Sequence, residues 1–318
     1  MAQIVLGIGT SHSPQLSIRA KDWGLLLKKD ENDPRLDYPE LLKRAKANIE
    51  SELGDDKFRQ RDEACQKAIT VLGDTLIKAN VDVVVVFGDD QHEQFGDDNM
   101  PTFAIYHGKS IPVVRDSGIR PSGWKEAERQ GWVETAEEYK NDEQLASHLI
   151  CALNSDDFDI ARCNRLRKEI GVGHAFSFLY RRVIPASRIP MVPVMVNTYY
   201  PPNQPTPKRC YAFGQAVRRG IESWDSDKRV ALMASGGLSH VVIDEEIDQM
   251  TMDGLKNKKP ETLFRLPRER LTGGTSEILN WVALAGAMED RDLKYFEYVT
   301  TYRSPAATGC GMGFAYWM

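Results

Sequence analysis

The sequence predicts an α/β fold, a single domain with a central mixed sheet, helices on both faces and helical insertions. Three observations carry this. A nearly continuous β-branched run, VDVVVVFG at 81–88, has the composition of a strand buried on both faces. Shorter runs of the same kind alternate along the chain with amphipathic stretches whose apolar residues recur three and four apart, the grammar of strands layered with helices. No internal repeat or low-complexity segment interrupts the alternation. The 318 residues allow two domains at roughly 100–200 residues each, or one large α/β domain. The alternation favours one domain over 1–318, with insertions at about 14–80 and 107–170.

Taken in order, QIVLGI at 3–8 reads as a first strand that runs into Gly9, Thr10, Ser11 and His12. From Tyr38 to about Asn80 the spacing predicts two amphipathic helices. The strand at 81–88 ends in Asp89, Asp90, Gln91 and His92, and TFAIY (102–106) is a shorter strand. About sixty polar residues follow, in which WVETAEEYKNDEQLASHLICAL is the clearest helical pattern, and they close on Gly171, Val172, Gly173 and His174. PMVPVMVN (190–197) is a strand leading to Thr198, Tyr199 and Tyr200, and KRCYAFGQAVRRGIESW (208–224) a helix. RVALMAS (229–235) is a further buried strand ending in Gly236, Gly237, Leu238, Ser239 and His240. A charged helical stretch, a loop with Gly273 and Gly274, and a helix opening near Ser276 with Glu277 in its first turn come next. GCGMGFAYWM closes the sheet as a final strand.

Composition narrows the function. With 42% hydrophobic and 27% charged residues the chain is an ordinary globular sequence. A formal charge of −5 repels phosphate backbones, so nucleic acid is not an expected partner. No run of about 18 apolar residues offers a membrane-spanning helix. The N-terminus lacks a basic region before its short apolar stretch, so a cytoplasmic location is expected. Five widely spaced cysteines without a Cys-x-x-Cys pair read as free thiols.

Six histidines remain. His12, His92 and His240 each lie a few residues beyond the carboxyl end of a predicted strand, where open α/β sheets bind ligands, so the three can converge in one crevice. His174 sits between glycines, where missing side chains allow close approach. A single loop histidine is more often structural, and a glutamate in a first helical turn is favoured by the macrodipole alone. Matching topological positions are what raise these residues above the background. Two histidines and a carboxylate on one face of a metal suit non-haem Fe(II), and the same residue types also hold Zn²⁺ in hydrolases.

GTSHSPQL (9–16), VGHAFSF (172–178), GGLSH (236–240) and GTSEILNW (274–281) resemble, in order and spacing, segments of the class III extradiol ring-cleavage dioxygenases, with GGLSH the most specific string. This is the family of the protocatechuate 4,5-dioxygenase catalytic β subunit and of single-chain gallate and 3-O-methylgallate dioxygenases. The resemblance implies Fe(II) held by His12 and Glu277, with His240 and His174 as acid/base residues. In the family pattern the second metal histidine directly follows an Asn-Asp or Pro-Asp pair, whereas this chain reads Asp89, Asp90, Gln91, His92. His92 is assigned to that role, with Asp90 the alternative. The implied reaction opens a catecholic ring with dioxygen beside its two hydroxyls, to a semialdehyde-type product.

Asn197, Tyr199, Tyr200 and the amides of Gly236 and Gly237 are candidates for orienting substrate, although they also read as a proline-bounded turn and a strand-to-loop glycine pair. Arg303 is a candidate partner for a substrate carboxylate, and otherwise a surface arginine. The helical insertions are expected to stand in for the small helical subunit that accompanies the type enzyme. A homodimer is the expected assembly. A zinc-dependent hydrolase and a non-enzymatic metal-binding scaffold are the competing readings.

Overall fold

The computed structural model describes residues 1–113, 137–184 and 189–318. Its strands are β1 (Gln3–Thr10), β2 (Val83–Gly88), β3 (Phe103–Tyr106), β4 (Ser110–Val113), β5 (Glu137–Lys140), β6 (Ala161–Cys163), β7 (Met191–Val196), β8 (Arg229–Ser235), β9 (His240–Val242), β10 (Leu293–Thr300) and β11 (Thr308–Trp317). In space the main sheet runs β10-β11-β1-β8-β2-β7-β3-β6, with β9 pairing off it onto β11, and β4 pairs with β5 separately. The sheet is mixed. β1, β8, β2 and β7 are parallel neighbours, whereas β11 joins β1 and β3 joins β7 antiparallel. The carboxyl ends of four adjacent strands therefore lie along one edge. Thr10, Ser235, Gly88 and Val196 end them, and the loops beyond carry His12, Gly236 to His240, Asp89 and Asn197.

The side-chain alternation of β2 explains why its run is so apolar. Val83, Val85 and Phe87 pack into one core with helices Glu143–Ser155, Pro207–Glu222, Glu245–Lys256 and Ile278–Ala287. Val84 and Val86 pack into the other with helices Asp55–Lys78 and His174–Arg182. Both faces are thus covered by helices, as the sequence predicts. Helix Asp55–Lys78 starts on Asp55 and Asp56 and ends on Lys78, which complements its dipole. Thr206 caps Pro207–Glu222 by accepting from Arg209 N at 3.1 Å, with Pro207 at the first turn.

The elements depart from the periodicity in four places. The amphipathic span 38–80 is one short helix (Tyr38–Arg44), a 3-10 turn (Ile49–Glu52) and the long helix from Asp55, because the chain turns extended at Ala45 and Gly54 adopts φ +108°. A helix at Gly24–Glu31 has no such pattern to announce it. In the predicted helix around 132–153, residues 137–140 instead pair as β5 with β4, and the helix begins at Glu143, where Asp142 caps Leu145 N at 3.0 Å. The rest of that segment, 132–136, and part of the 107–170 insertion lie outside the described residues. Glu277 ends a 3-10 turn (Gly273–Glu277) just before helix Ile278–Ala287.

Two contacts fix how the edge loops sit. Helices Pro207–Glu222 and Ile278–Ala287 cross with backbones in contact: a Cβ on Gly214 would collide with the Ala283 carbonyl, and one on Gly286 with the Tyr211 carbonyl. This anchors the helix that follows Glu277. Beneath the 236–240 loop, buried Asp248 accepts from Ser239 N and Ser239 Oγ, each at 2.7 Å, and from Tyr298 Oη at 2.6 Å. Gly311 makes room for that carboxylate.

Gly286→Ala is therefore expected to lower stability by about 2–3 kcal/mol, since backbone cannot give way to the added methyl; urea unfolding monitored by circular dichroism checks it. Burial pushes the Asp248 carboxyl up to about 6, against the lowering effect of its three donors. The folded chain then holds a proton that the unfolded chain releases near pH 4. The associated stability is complete below that pH and is lost as pH rises through about 6, up to about 3 kcal/mol. Asp248→Asn should flatten that part of the stability profile, as read by unfolding titrations from pH 4 to 7.

Candidate active site

Along the carboxyl edge the sequence brings three imidazoles around one carboxylate. Glu277 is buried, and its Oε2 accepts from Gly237 N at 2.9 Å. The same oxygen lies 3.5 Å from His12 Nε2 and 3.6 Å from His240 Nε2. His174 packs its ring edgewise on His12 with centroids 4.7 Å apart. Donor atoms of His12, His174 and Glu277 all fall within 4.8 Å of one another.

Each imidazole is oriented through Nδ1. His240 Nδ1 is 3.0 Å from the Leu238 carbonyl, which can only accept, so Nδ1 carries the proton. His12 Nδ1 is 3.0 Å from Ser235 Oγ, whose own hydrogen goes to the Ala175 carbonyl at 2.6 Å, so His12 Nδ1 is again the donor. His174 Nδ1 donates to Glu93 Oε1 at 2.9 Å, and that carboxylate oxygen also accepts from His174 N. For His12 and His240 this tautomer turns the Nε2 lone pair toward Glu277 Oε2. Acceptor-only atoms facing one another in a buried place need a cation or a proton between them. Two imidazole nitrogens and a carboxylate oxygen, each backed by its own hydrogen bond, are a donor set for a divalent transition metal.

The glycines serve this geometry. A Cβ on Gly237 or on Gly274 would strike the His240 side chain, and one on Gly173 would strike Glu93 where it holds His174. Trp281 donates to the Gly236 carbonyl at 2.7 Å and fills the space left by Gly9. β9 pairs His240 with Cys310 of β11, which fixes the backbone from which the imidazole projects.

The electrostatics follow from burial among these groups. Burial pushes the Glu277 carboxyl up, but His240 and His12 outweigh it and hold it down to about 2. Burial lowers the His240 imidazole below its ordinary value, against the pull of Glu277. Asp89 is pushed up to about 6 by burial and by the Glu277 charge. Asp90 rises to about 7 through burial and Glu93.

The residues singled out in the sequence fall into two groups. His12, His174, His240 and Glu277 come together. His92 does not join them: it takes φ +62°, its ring stacks on Tyr200 at 3.8 Å, and its Nε2 lies 3.0 Å from Asp97 Oδ1. Asp90 is occupied with its own loop, accepting from Gln94 N at 2.8 Å and Phe95 N at 3.1 Å. Asn197 braces the turn after β7, bonding Tyr200 O at 2.7 Å, Tyr200 N at 2.9 Å and Asn203 Oδ1 at 2.9 Å. The Gly237 amide is spent on Glu277. Burial, with the charges of Glu277 and Asp89, raises the Tyr199 hydroxyl above its ordinary value, against the pull of Arg35. Arg303 is buried, not at the surface, and its fork is taken by Asp30 at 2.7 and 2.8 Å.

Four contributors have no signal in the sequence pattern. Glu93 and Ser235 orient two of the imidazoles, Asp248 holds the loop of the third, and Gln91 donates to Asp89 Oδ2 at 3.0 Å and Glu277 Oε1 at 3.3 Å. The positions of Glu93 and Gln91, in the same polar stretch as His92, are the nearest thing to a pointer.

Several known proteins resemble this chain in sequence. Gallate dioxygenase of Pseudomonas putida is 29% identical over 178 residues, 52% of this chain and 50% of that protein. A protein named 2,3-dihydroxyphenylpropionate/2,3-dihydroxicinnamic acid 1,2-dioxygenase from Burkholderia vietnamiensis is 31% identical over 159 residues, 50% of this chain and 43% of that protein. Its namesake from Rhodococcus jostii is 30% identical over 196 residues, 59% and 54% respectively. The chain thus spans about half the length of the curated relatives it matches. Residues 52–313 match the family model described as the catalytic LigB subunit of aromatic ring-opening dioxygenase. With most of its length inside that match, the chain belongs to this family of LigB-type aromatic ring-opening dioxygenases.

Proposed function

We propose that this chain is a non-haem Fe(II)-dependent extradiol dioxygenase. It acts on a catecholic aromatic of the protocatechuate, gallate or methylgallate kind and cleaves the ring beside its two hydroxyls, with both atoms of dioxygen entering a semialdehyde-type product. The observation that carries this is the convergence of His12, His174 and Glu277 with His240 beside the same Glu277 oxygen, in a chain of this family. Residues 1–318 act as one catalytic domain, and the relatives' printed names support an aromatic diol as substrate.

His12, Glu277 and His174 would hold the metal, with His174 in the place expected for His92. When bound, Fe(II) supplies an electrophilic centre that acidifies substrate hydroxyls and an electron source for dioxygen. His240 is the acid/base group. Lowered by burial, its imidazole is neutral at pH 7 and can take a hydroxyl proton at Nε2 while Nδ1 stays on the Leu238 carbonyl. The same nitrogen returns that proton to an oxygen of the opening ring. Glu93 keeps His174 in one tautomer. The buried setting keeps bulk water from these steps.

A zinc hydrolase would use the same donors, and anaerobic metal analysis with dioxygen uptake separates the two. Iron-reconstituted protein is expected to consume dioxygen with at least one of catechol, protocatechuate, gallate and 3-O-methylgallate. Protein that takes up zinc in preference to iron and that, once iron-reconstituted, consumes no dioxygen with any of them would overturn the proposal. His12→Ala and Glu277→Ala should lose iron, by at least tenfold in affinity. His240→Ala should keep its iron and lose turnover by about 10²–10⁴-fold, the share of a general acid/base; an active His240→Ala enzyme would remove it from that role.

A further inference from the structure

Asp89 is a buried carboxylate next to this site that the proposed function does not use. It directly follows β2, has no exposed surface, and lies within the fields of Glu277, His174 and His12. Its Oδ2 accepts from Gln91 Nε2 at 3.0 Å, and the same amide nitrogen reaches Glu277 Oε1 at 3.3 Å. One side-chain amide thereby spaces two buried carboxylates. Asp89 Oδ1 is buried with no hydrogen-bond partner among the described residues.

A buried carboxylate oxygen without a partner, beside a second carboxylate, is a costly arrangement that nothing in the packing requires. Asn at this position would keep the Gln91 contact through its own carbonyl oxygen without the charge. Asp90, one residue on, shows the contrast. Both of its oxygens accept backbone N–H groups of the 94–95 turn, so its carboxylate has a structural use. Asp89 has none; it stands outside the group of His12, His174 and Glu277, whose donor atoms lie within 4.8 Å of one another, and is joined to Glu277 through Gln91.

We propose that Asp89 Oδ1 is a fourth protein donor to the divalent cation held by His12, His174 and Glu277, giving a set of two imidazoles and two carboxylates whose charge balances that of the ion. This rests on the metal-centre reading above. Gln91 holds Asp89 Oδ2 and so leaves Oδ1 as the oxygen that turns to the ion. Two hard oxygen donors shift the set toward ions such as Mn²⁺ and Fe²⁺ that accept carboxylates readily. Because Asp89 is charged, a chelating anionic substrate competes with it for the ion.

The test is a Mn²⁺ titration of the full chain, with free ion read by its EPR signal, for wild type and Asp89→Asn, Asp89→Ser, Asp90→Asn, His12→Ala and Glu277→Gln. Both Asp89 variants are expected to weaken Mn²⁺ binding at least tenfold, comparably to Glu277→Gln, whereas Asp90→Asn stays within about twofold. Thermal melting supplies a second reading. Without added metal Asp89→Asn should melt at or above wild type, since it removes an unpartnered charge, and saturating Mn²⁺ should raise its Tm less than that of wild type. Asp89 variants that bind Mn²⁺ as wild type does, while His12→Ala and Glu277→Gln lose it, would overturn the role of Asp89 alone. Wild-type binding by every variant would overturn the metal centre and this proposal together.

Discussion

Glu277 is surrounded by imidazole nitrogens whose other ring nitrogens are each fastened to something that cannot move. The Leu238 carbonyl, the Ser235 hydroxyl and the Glu93 carboxylate take the three Nδ1 protons, and Gly237 N holds the carboxylate itself. A buried anion in this position depends on positive charge close by, and that need organises the neighbouring structure. Glycines stand where side chains would strike His240 and Glu93, and Trp281 pins the Gly236 carbonyl. The orientation is built from second partners, the arrangement that tunes a donor set and fixes its tautomers.

The helical insertion is tied to the same edge by a second buried charge. Asp30, from helix Gly24–Glu31, receives both sides of the Arg303 fork and the Thr308 hydroxyl at 2.6 Å, and Arg303 also reaches Gln15. Trp23 donates to the Gln15 carbonyl at 3.1 Å, so residues 15–30 are fastened to the start of β11. From there the chain delivers Arg35, held by Asp33 at 2.6 and 2.9 Å, toward Tyr199. An ion pair of this kind contributes little net stability but is costly to break on one side. It fixes where the insertion sits relative to the site.

Strands of this chain were legible because burial on both faces forces β-branched runs, and β2 is the plainest case. The location of the site was legible for the same reason, since side chains just past such strands gather at one edge. The first failure came at His92. Its type and position past a strand point inward, but it takes φ +62° and stacks on Tyr200, while His174 from another loop stands next to His12. Arg303 shows the same limit in reverse, because its partner Asp30 is far away in sequence. Short elements such as β5 and helix Gly24–Glu31 escaped because their pairing and packing partners, not their own periodicity, hold them in place.

By itself the sequence determined the layered α/β architecture, the family resemblance, and four residues that meet: His12, His174, His240 and Glu277. The architecture follows from local chemistry, in which apolar period, turn residues and strand ends are written along the chain; the four residues are those the family resemblance implied. Only the tertiary structure decided which nitrogen of each imidazole faces Glu277, that Asp89 and not Asp90 turns toward the cluster, and that Arg303 is spent on Asp30. Those outcomes depend on which donor meets which acceptor in the folded chain, across 223 residues for His12 and Ser235 and 273 for Arg303 and Asp30. Sequence separation carries no record of that pairing, and burial then makes each one costly to undo.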